Sequence, residues 1–203
     1  LNCPIIINHA QGHESVVTLE TIAPLMKYYA EKAKVPVAMH IDHALDMDFC
    51  MRAIKAGFTS IMYDRSTESL EENIASTKAF VDLVKPIGIT VEGELGLMPN
   101  NMPTEIPGQE KSDLSDLTQY YTKVEDARKF AEATGVDVLT ISVGTVHGLY
   151  EEKSDLDIQR VKDIDNALKG LDTHIGIHGA SGTEPDQLVA AINAGVRKIN
   201  YFT

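Results

Sequence analysis

Short β-branched segments alternate along the chain with longer segments in which apolar residues recur at helical spacing. Several of the short segments are continuously apolar, which is typical of parallel strands covered on both faces. Seven strands are predicted on this basis: Cys3–Asn8, Pro36–Asp42, Ser60–Arg65, Ile89–Leu95, Val136–Gly144, His174–Gly179 and Lys198–Thr203. A repeated unit of strand and then helix predicts an α/β protein with a parallel sheet.

The helices between these strands have recognisable ends. Residues 69–72 and 122–125 both fit the capping-box pattern. Gly57 and Gly195 stand where the end of a helix favours a left-handed residue. Apolar spacing predicts the buried faces of two helices, Ile74, Thr77, Val81 and Val84 in one and Leu188, Ala191 and Ile192 in the last.

Two architectures accommodate seven strands in this order. A (β/α)8 TIM barrel without its first strand and last helix explains a chain that starts inside a strand and stops at the end of one. An open, doubly wound sheet is the alternative, but no Gly-x-Gly-x-x-Gly follows any strand. We therefore predict a single TIM-barrel domain over residues 1–203, as a fragment of a longer chain.

One connection is unusually long. The 25 residues from Leu97 to Tyr121 are rich in Pro, Asn, Met, Asp and Ser and show no helical period. Loops of this length in compact domains are uncommon, and many are lids or binding loops. This one follows the strand Ile89–Leu95, so we expect it on the face of the barrel where active sites lie.

Composition and charge exclude several functional classes. Hydrophobic residues make up 43% of the 203 residues and charged residues 24%, which is ordinary for a globular protein. The net charge of −12 would repel a phosphate backbone, so a nucleic-acid partner is not expected. No apolar run reaches the roughly 18 residues of a membrane span, and no signal peptide is recognisable. Cys3 and Cys50 are expected to be buried thiols in a reducing cytoplasm.

Polar residues stand at the carboxyl ends of the predicted strands, and a barrel brings these ends together in a ring. They are Asp42, His43, Asp64, Glu92, Glu94, His147, His178 and Asn200. Imidazole and carboxylate groups are ligands that suit Zn²⁺, and three protein ligands leave a coordination position open for a substrate. The pattern therefore predicts a metal centre at this end of the sheet.

The segment Gly179–Gly182 follows one of these strands and precedes a helix that opens near Pro185. Small residues let backbone N–H groups approach an anion, and the N-terminus of a helix favours negative charge. A tight turn with a helix cap would give the same sequence. In register with the predicted metal centre, the segment indicates a phosphorylated substrate.

Seven short motifs carry a family resemblance. In chain order they are His40-Ile41-Asp42-His43, residues 57–66, Glu72-Asn73 with Thr77-Lys78, residues 91–96, residues 144–148, residues 178–182 and Lys198-Ile199-Asn200. Together they resemble the class II, zinc-dependent ketose-bisphosphate aldolases, which include fructose- and tagatose-bisphosphate aldolases. The resemblance covers the chain but lacks the family's first strand and final helices.

The resemblance implies a role for each matching residue. His43, His147 and His178 would hold the catalytic Zn²⁺, and Asp42 would exchange a proton with the hydroxyl at the bond being cleaved. Asp64 and Glu94 would form an alternative metal site or orient the ligands. Five residues match positions that bind dihydroxyacetone phosphate, with a monovalent cation (Na⁺ or K⁺) beside the phosphate: Gly148, Gly179, Ser181, Asn200 and Thr203. A cytoplasmic homodimer or homotetramer acting in carbohydrate metabolism such as glycolysis is expected.

The sequence departs from the family at the substrate side. The family's Gly-Gly-x-Glu-Asp stretch is replaced by residues 97–105, in which Glu105, and beyond it Glu110, could supply the missing acid. Tyr201 and Phe202 follow Asn200 where bisphosphate enzymes have smaller or acidic residues. No basic cluster for a second phosphate is evident, so a ketose 1-phosphate with an unphosphorylated tail competes with a bisphosphate. Arg65 could face the site or form a surface salt bridge.

Three functions are compatible with these residues. The leading hypothesis is a zinc-dependent aldolase that yields dihydroxyacetone phosphate and an aldehyde, in which Lys198 forms no Schiff base and is structural or solvent-facing. A metal-dependent hydrolase would be expected to carry His-x-His, whereas His40 and His43 have two residues between them. A non-catalytic binding protein would bind zinc without exchanging protons.

Overall fold

All seven predicted strands form, in a computed structural model that describes residues 3–99, 112–147 and 155–201. The strands are β1 (Ile5–Ala10), β2 (Val37–Ala44), β3 (Ser60–Tyr63), β4 (Thr90–Leu95), β5 (Val138–Ile141), β6 (His174–Ile177) and β7 (Val196–Ile199). The α-helices are α1 (Leu19–Lys32), α2 (Met47–Ala56), α3 (Leu70–Val84), α4 (Val124–Thr134), α5 (Ile158–Leu168) and α6 (Pro185–Ala194). Short 3₁₀ helices span Gln11–Ser15, Lys85–Ile87 and Leu117–Tyr120.

The strands form one sheet in which spatial order equals chain order, and every neighbouring pair is parallel. Parallel neighbours need a crossover, and a helix lies in each connection from β1 to β7. All the carboxyl ends therefore lie at the same edge of the sheet. The α/β class predicted from the sequence is confirmed.

The sheet is strongly curled. Strands β2 and β7 are five places apart in it, and at a spacing of roughly 4.8 Å a flat sheet would separate them by about 24 Å. Yet Nδ2 of Asn200, the residue after β7, lies 3.0 Å from Oδ1 of Asp42 in β2. The curl therefore encloses an inner wall onto which side chains from distant strands converge.

The two faces of the sheet differ in chemistry because successive side chains of a strand point to opposite sides. The outer face packs against the helices as a single apolar core that includes Ile41, Ile61, Val91, Leu139 and Ile177 from the strands and Phe49, Phe80, Phe130 and Val161 from the helices. The inner wall carries buried polar residues, among them His40, Glu92, Thr140 and Lys198. Both faces are covered, as predicted, but the inner one is lined largely by polar groups.

Helix ends agree with the sequence prediction at three of four positions. Ser69 and Glu72 form the predicted capping box of α3, and Gly57 and Gly195 terminate α2 and α6 with positive φ. The prediction at Thr122 is wrong, since the N-cap position of α4 is Lys123, whose side chain forms no capping hydrogen bond. The Thr122 hydroxyl instead donates to the carbonyl of Leu95 and accepts from the backbone N–H of Ser142. It thus ties two strand ends together.

Three further expectations require correction. Ile192 was expected in the core but is half-exposed on α6, while Leu188 and Ala191 pack inward. Cys3 is exposed, whereas Cys50 is buried as expected. The long connection after β4 is not wholly irregular, because the 3₁₀ helix at its end packs near Leu97 through the backbone bond from Leu97 N to the Tyr120 carbonyl. Residues 100–111 of that connection lie outside the described residues.

Within the described ranges, no helix combines the length and the apolar character that crossing a membrane requires.

The contact of Gly93 with α4 generates a stability prediction. A Cβ atom on Gly93 would lie 2.9 Å from ring carbons of the fully buried Phe130. We expect Gly93→Ala to lower the free energy of unfolding by about 1–3 kcal/mol, because an extra methyl in a packed core forces neighbours to move. Urea titration measures the loss. Adding Phe130→Leu should recover part of it, and a purely additive double variant would contradict this explanation.

Burial of Cys50 generates a second prediction. Burial, with a smaller contribution from Asp46, raises the pKa of the Cys50 thiol to about 12. The thiolate is the reactive form, so at pH 8.5 we expect iodoacetamide to modify Cys3 and to leave Cys50 intact. Peptide mass spectrometry in buffer and in urea separates the two sites, and Cys50 should react only in urea. Modification of Cys50 at the same rate in buffer would show that this core opens readily.

Candidate metal centre and active site

Seven of the predicted site residues lie at the carboxyl edge of the curled sheet. They are Asp42 and His43 at the end of β2, Asp64 after β3, Glu94 in β4, His147 after β5, His178 after β6 and Asn200 after β7. Donor atoms of His43, His147 and His178 lie within 4.8 Å of one another, and so do those of His43, Asp64 and Glu94. His43 belongs to both groups and therefore stands at the centre of the cluster.

A local irregularity in β2 places Asp42 and His43 in the same site. Consecutive residues of a regular strand point to opposite faces. The pairing of β2 with β3 shifts between Ile41 and Ala44, and His43 has a φ of 47°. A non-glycine residue in this left-handed region carries a conformational cost, which is commonly retained at functional sites. The bulge allows both side chains to face the cluster.

His43 is oriented by Asp64. Its Nδ1 lies 2.7 Å from Oδ2 of Asp64, and the other oxygen of Asp64 accepts the backbone N–H of Ser66. Burial raises the pKa of Asp64, but the hydrogen bonds from His43 and Ser66 outweigh it and hold that pKa well below its usual range. An ionised Asp64 can only accept, so Nδ1 of His43 carries the proton and Nε2 presents its lone pair to the cluster.

His178 is oriented from the opposite side. Its Nε2 lies 3.0 Å from Oε1 of the buried Glu92, and its Nδ1 lies 3.0 Å from Nε2 of His43. Burial raises the pKa of Glu92, but Lys198 and His178 more than compensate and hold it well below the usual range. Donation from Nε2 to the Glu92 carboxylate therefore leaves the Nδ1 lone pair facing the cluster.

Two ring nitrogens thus face each other with lone pairs 3.0 Å apart, which is repulsive unless a proton or a cation lies between them. Burial lowers the pKa of His43, but the hydrogen bond to Asp64 and the charge of Asp42 outweigh it and raise that pKa to about 10. In the metal-free protein a proton on Nε2 of His43 relieves the repulsion. A divalent cation would relieve it equally well, so the donor set fits a metal ion.

Glu94 provides a second sign that the cluster fits a cation. Its Oε2 is buried without a hydrogen-bond partner among the described residues and lies 3.9 Å from Nδ1 of His178. Burial, reinforced by the nearby Asp64, raises the pKa of Glu94 well above its usual value. Asn73 of α3 donates to the backbone carbonyl of Glu94 and fixes the end of β4. A bound cation would favour the ionised form of this carboxyl.

His147 approaches the cluster from a loop that two close contacts hold. Its backbone N–H donates to the carbonyl of Pro99, at 2.8 Å. Gly179, with a φ of 66°, approaches the neighbouring Val146 so closely that a Cβ atom would overlap the Val146 carbonyl oxygen. Burial, followed by the nearby His43, lowers the pKa of His147 to about 3, which leaves its imidazole neutral and able to bind a metal.

Asp42 lies beside the metal cluster and is held by Asn200, whose Nδ2 donates to Oδ1 of Asp42 at 3.0 Å. Burial raises the pKa of Asp42, but His178 and His43 more than offset this and lower it. An ionised carboxylate that remains partly accessible, next to a metal-ligand cluster, can accept a proton from a bound substrate.

The comparison with known proteins agrees with this geometry. A family profile described as fructose-bisphosphate aldolase class-II matches residues 1–203, the whole chain. The chain belongs to the class II fructose-bisphosphate aldolase family. The resemblance inferred from the seven sequence motifs is therefore confirmed.

Three similar proteins illustrate the range of this aldolase family. A sulfofructosephosphate aldolase from Alkalicoccus urumqiensis is 35% identical over 204 residues, which span 100% of this chain and 67% of that protein. The crystal structure of the YdjI aldolase from Escherichia coli K12 gives a TM-score of 0.81 at 33% identity, covering 98% of this chain and 66% of that one. A putative fructose-1,6-bisphosphate aldolase from Coccidioides immitis gives a TM-score of 0.76 at 27% identity, covering 98% and 75%. The chain thus spans about two thirds of the length of the first two.

The remaining residues predicted for this aldolase site have mixed outcomes. Gly179 and Ser181 lie in the turn between β6 and α6, beside His178. Gly148 and Thr203 lie outside the described residues, as do Glu105 and Glu110. Arg65 was predicted either to face the site or to form a salt bridge. Its guanidinium donates to the carbonyl of Leu45 and forms a salt bridge with Glu68, so the second placement is observed.

Sequence reasoning placed Glu92 among the polar residues at the strand ends, but it did not predict the buried layer that Glu92 forms with His40 and Lys198 directly beneath the site. His40, Glu92 and Lys198 are all buried on the inner wall, and Lys198 is therefore not solvent-facing. The signal was present in the sequence, because each stands two residues before a site residue, Asp42, Glu94 or Asn200. Side chains two apart in a strand share a face.

Proposed function

We propose that this protein is a zinc-dependent class II aldolase that reversibly cleaves a ketose phosphate to dihydroxyacetone phosphate and an aldehyde. The observation that carries the proposal is the close approach of two ring nitrogens, Nε2 of His43 and Nδ1 of His178, which lie 3.0 Å apart with room for only a proton or a cation between them. Carboxylates fix both rings from behind, as is usual for metal-ligating histidines. Membership of the class II aldolase family supports the same chemistry.

His43, His147 and His178 are the residues that would hold the metal. When bound there, Zn²⁺ would act as a Lewis acid that polarises the ketone carbonyl and stabilises the negative charge developing as the carbon–carbon bond breaks. Asp64 and Glu94 line the second donor group around His43. Their proposed role is to orient that ring and to offer an alternative position for the metal.

Asp42 is the proposed acid/base at the cleaved bond. Cleavage requires that the hydroxyl next to the breaking bond lose its proton, and condensation returns it. Asn200 fixes one oxygen of Asp42, and the side chain retains 19% exposure toward the open edge of the sheet. A substrate hydroxyl can therefore come within hydrogen-bond reach, which general acid–base catalysis requires.

The turn at residues 179–182 is the proposed binding site for the phosphate of the substrate. It lies just before α6, and the N-terminus of a helix favours negative charge. Gly179 and Ser181 belong to this turn, and the backbone N–H of Ala180 donates to the carbonyl of Asn200, which places Asn200 beside the turn. Gly148 and Thr203 complete the set of five residues proposed to bind dihydroxyacetone phosphate. A monovalent cation beside the phosphate remains part of the proposal.

The dihydroxyacetone phosphate half of the proposed substrate follows from the family. The identity of the aldehyde half is less constrained by the residues of the site. Fructose or tagatose 1,6-bisphosphate would need a second phosphate site. Arg65 is held by Leu45 and Glu68, and Lys198 is buried against Glu92. This favours the second candidate, a ketose 1-phosphate whose tail lacks phosphate. The relative named for sulfofructosephosphate shows that substrates in this family vary.

The seven strands are proposed to form, with an eighth, a closed TIM barrel comprising one domain. The curl that brings β7 to β2 supports this architecture, as does the half-exposed surface of Ile5 and Ile6 on β1, an edge strand of the described sheet. A homodimer or homotetramer in the cytoplasm, acting in carbohydrate metabolism, is proposed from the family alone.

Proton exchange tests the reaction without knowledge of the aldehyde. The full-length protein is incubated with dihydroxyacetone phosphate in D₂O, and NMR follows deuterium entry at the hydroxymethyl carbon. We expect exchange with Zn²⁺ and its loss after treatment with a chelator, followed by recovery when Zn²⁺ is restored. Exchange that survives complete removal of metal would refute zinc dependence. Tight zinc binding without exchange would support a different donor or a binding protein.

The role of Asp42 can be separated from metal binding. Asp42→Asn retains the shape of the side chain and its bond from Asn200, so zinc content should not change. Cleavage of a ketose phosphate that the native protein accepts should fall about 10²–10⁴-fold, since the base is lost. Coupled detection of dihydroxyacetone phosphate provides the rate. Asp48→Asn, the same change at an exposed position of α2, serves as control. Loss of zinc from Asp42→Asn would instead assign Asp42 a structural role.

A further inference from the structure

Three pairs of inner-wall residues form two layers at the carboxyl edge of the sheet. The upper layer contains Asp42, Glu94 and Asn200, and the lower layer contains the residues two positions earlier, His40, Glu92 and Lys198. Lys198 and Glu92 form the only lysine–carboxylate ion pair among the described residues in which both side chains are at most 7% exposed. An ion pair buried this deeply gains little net stability, which raises the question of what it does.

Glu92 connects the lower layer to the metal cluster. Its Oε1 accepts from the Thr140 hydroxyl at 2.5 Å and lies 3.0 Å from Nε2 of His178. Its Oε2 lies 2.7 Å from Nζ of Lys198 and 3.3 Å from Nε2 of His40. Each carboxylate oxygen therefore has its own partners, and rotation of the carboxylate would exchange them.

The contact with Glu92 determines the tautomer of His178. Nδ2 of Asn200 also lies 2.9 Å from Nε2 of His178, so that nitrogen could accept from the amide or donate to the carboxylate. If it accepted, its lone pair would face a carboxylate oxygen at 3.0 Å, and two acceptors at that distance repel. The amide has two hydrogens and donates one of them to Asp42, so the carboxylate decides the tautomer: a bond from Nε2 to the ionised Glu92 is charge-assisted and stronger than a bond from the neutral amide. Nε2 of His178 therefore carries the hydrogen, and Nδ1 is left bare.

Lys198 also determines which way the Asn200 amide points. Its Nζ donates to Oδ1 of Asn200 at 2.7 Å, which places the amide nitrogen toward Asp42. An ammonium group has no acceptor, so Asn200 can present only its oxygen to Lys198, while the Glu92 carboxylate pairs with the same ammonium group through Oε2. One buried cation thus fixes the direction of the Asn200 amide and pairs with the carboxylate that contacts His178.

We propose that Lys198 and Glu92 are positioning residues: the ion pair they form keeps the hydrogen of His178 on Nε2, leaving Nδ1 available as a metal ligand, and turns the Asn200 amide toward Asp42. The inference deepens the proposed function, since the metal and the base it serves are those of the aldolase site. Neither residue touches the substrate in this scheme, and the effect of Lys198 on the metal passes through Glu92 and His178.

Glu92→Gln tests the link to the metal because it retains the shape of the side chain. Lys198 requires an oxygen, so the new amide should turn its carbonyl toward Lys198 and its NH₂ toward His178. Nε2 of His178 must then accept, and its hydrogen moves to Nδ1. We expect affinity for Zn²⁺, measured by competition with a chelating dye, to fall about 10–100-fold, as for loss of other groups that orient metal ligands.

The double variant Glu92→Gln/Lys198→Met provides the sharper test. Without the cation, the amide is free to present its oxygen to His178, and the original tautomer returns. Zinc affinity should recover to within about threefold of the native protein, even though a second residue has been changed. Aldolase turnover should stay low, because Asn200 has lost the bond that aims it at Asp42.

The tautomer is read directly, without zinc and without activity. Long-range ¹H–¹⁵N spectra of the metal-free full-length protein distinguish a ring protonated on Nε2 from one protonated on Nδ1. The His178 signals are assigned by their absence in His178→Gln. Native protein and double variant should show the Nε2–H form, and Glu92→Gln the Nδ1–H form. Glu71→Gln, the same change in the exposed Glu71–Lys129 pair between α3 and α4, should alter neither spectrum nor affinity.

The inference is overturned if native His178 carries its hydrogen on Nδ1, if Glu92→Gln leaves tautomer and affinity unchanged, or if the double variant binds zinc as weakly as Glu92→Gln. If Glu92→Gln fails to fold, the inference is still tested by the spectrum of the native protein and by the tautomer and zinc affinity of the double variant, which buries no charge at these two positions. Absence of proton exchange by the native protein would reject the proposed reaction but would leave these tautomer and affinity results standing.

Discussion

The structure depends on one constraint, which is that the buried polar side chains on the inner wall of a curled sheet must find most of their partners on the same wall. The outer faces of the strands are occupied by the apolar core, and the inner-wall residues His40, Glu92, Thr140 and Lys198 are all buried. Buried polar groups without partners are costly. Glu92 is the partner of Thr140 in β5, of His178 directly after β6 and of Lys198 in β7, and so links β4 to these three parts of the sheet.

The same constraint accounts for the orientation of the histidine rings in the metal cluster. Asp64 and Glu92 hold the rings of His43 and His178 from behind, so the remaining nitrogens can only face each other. Without a proton or a cation between them, the lone pairs of these two nitrogens would repel each other and destabilise the folded protein. The raised pKa of His43 shows how the metal-free protein compensates, by keeping a proton where a cation fits. Preorganisation for the metal and stability without it thus come from the same carboxylates.

The repeated pattern of strand and helix, with its glycine helix ends and its polar residues at strand ends, could be predicted from the sequence because each depends on local periodicity. The bulge at His43 could not, since a left-handed histidine has no sequence signature and is imposed by the pairing of β2 with β3. Thr122 satisfies a capping-box pattern yet bonds to two strand ends, because tertiary contacts outweigh a local preference. The burial of Lys198 could be predicted only in part: its position two residues before Asn200 places it on the inner wall, but nothing local identifies its partner Glu92, which is more than a hundred residues earlier.

In the proposed function, reaction and specificity would reside on different parts of this fold, and the placement of Arg65 illustrates why. The groups that would bind metal and move the proton belong to strands or to residues directly after them, so the sheet fixes their positions. Arg65 belongs to the loop after β3, and its guanidinium is used to tie that loop to Leu45 and Glu68. A second phosphate would have to compete with both contacts. Loops can change their partners without disturbing the inner wall, so relatives that share the histidine cluster can differ in the tail of the sugar they accept.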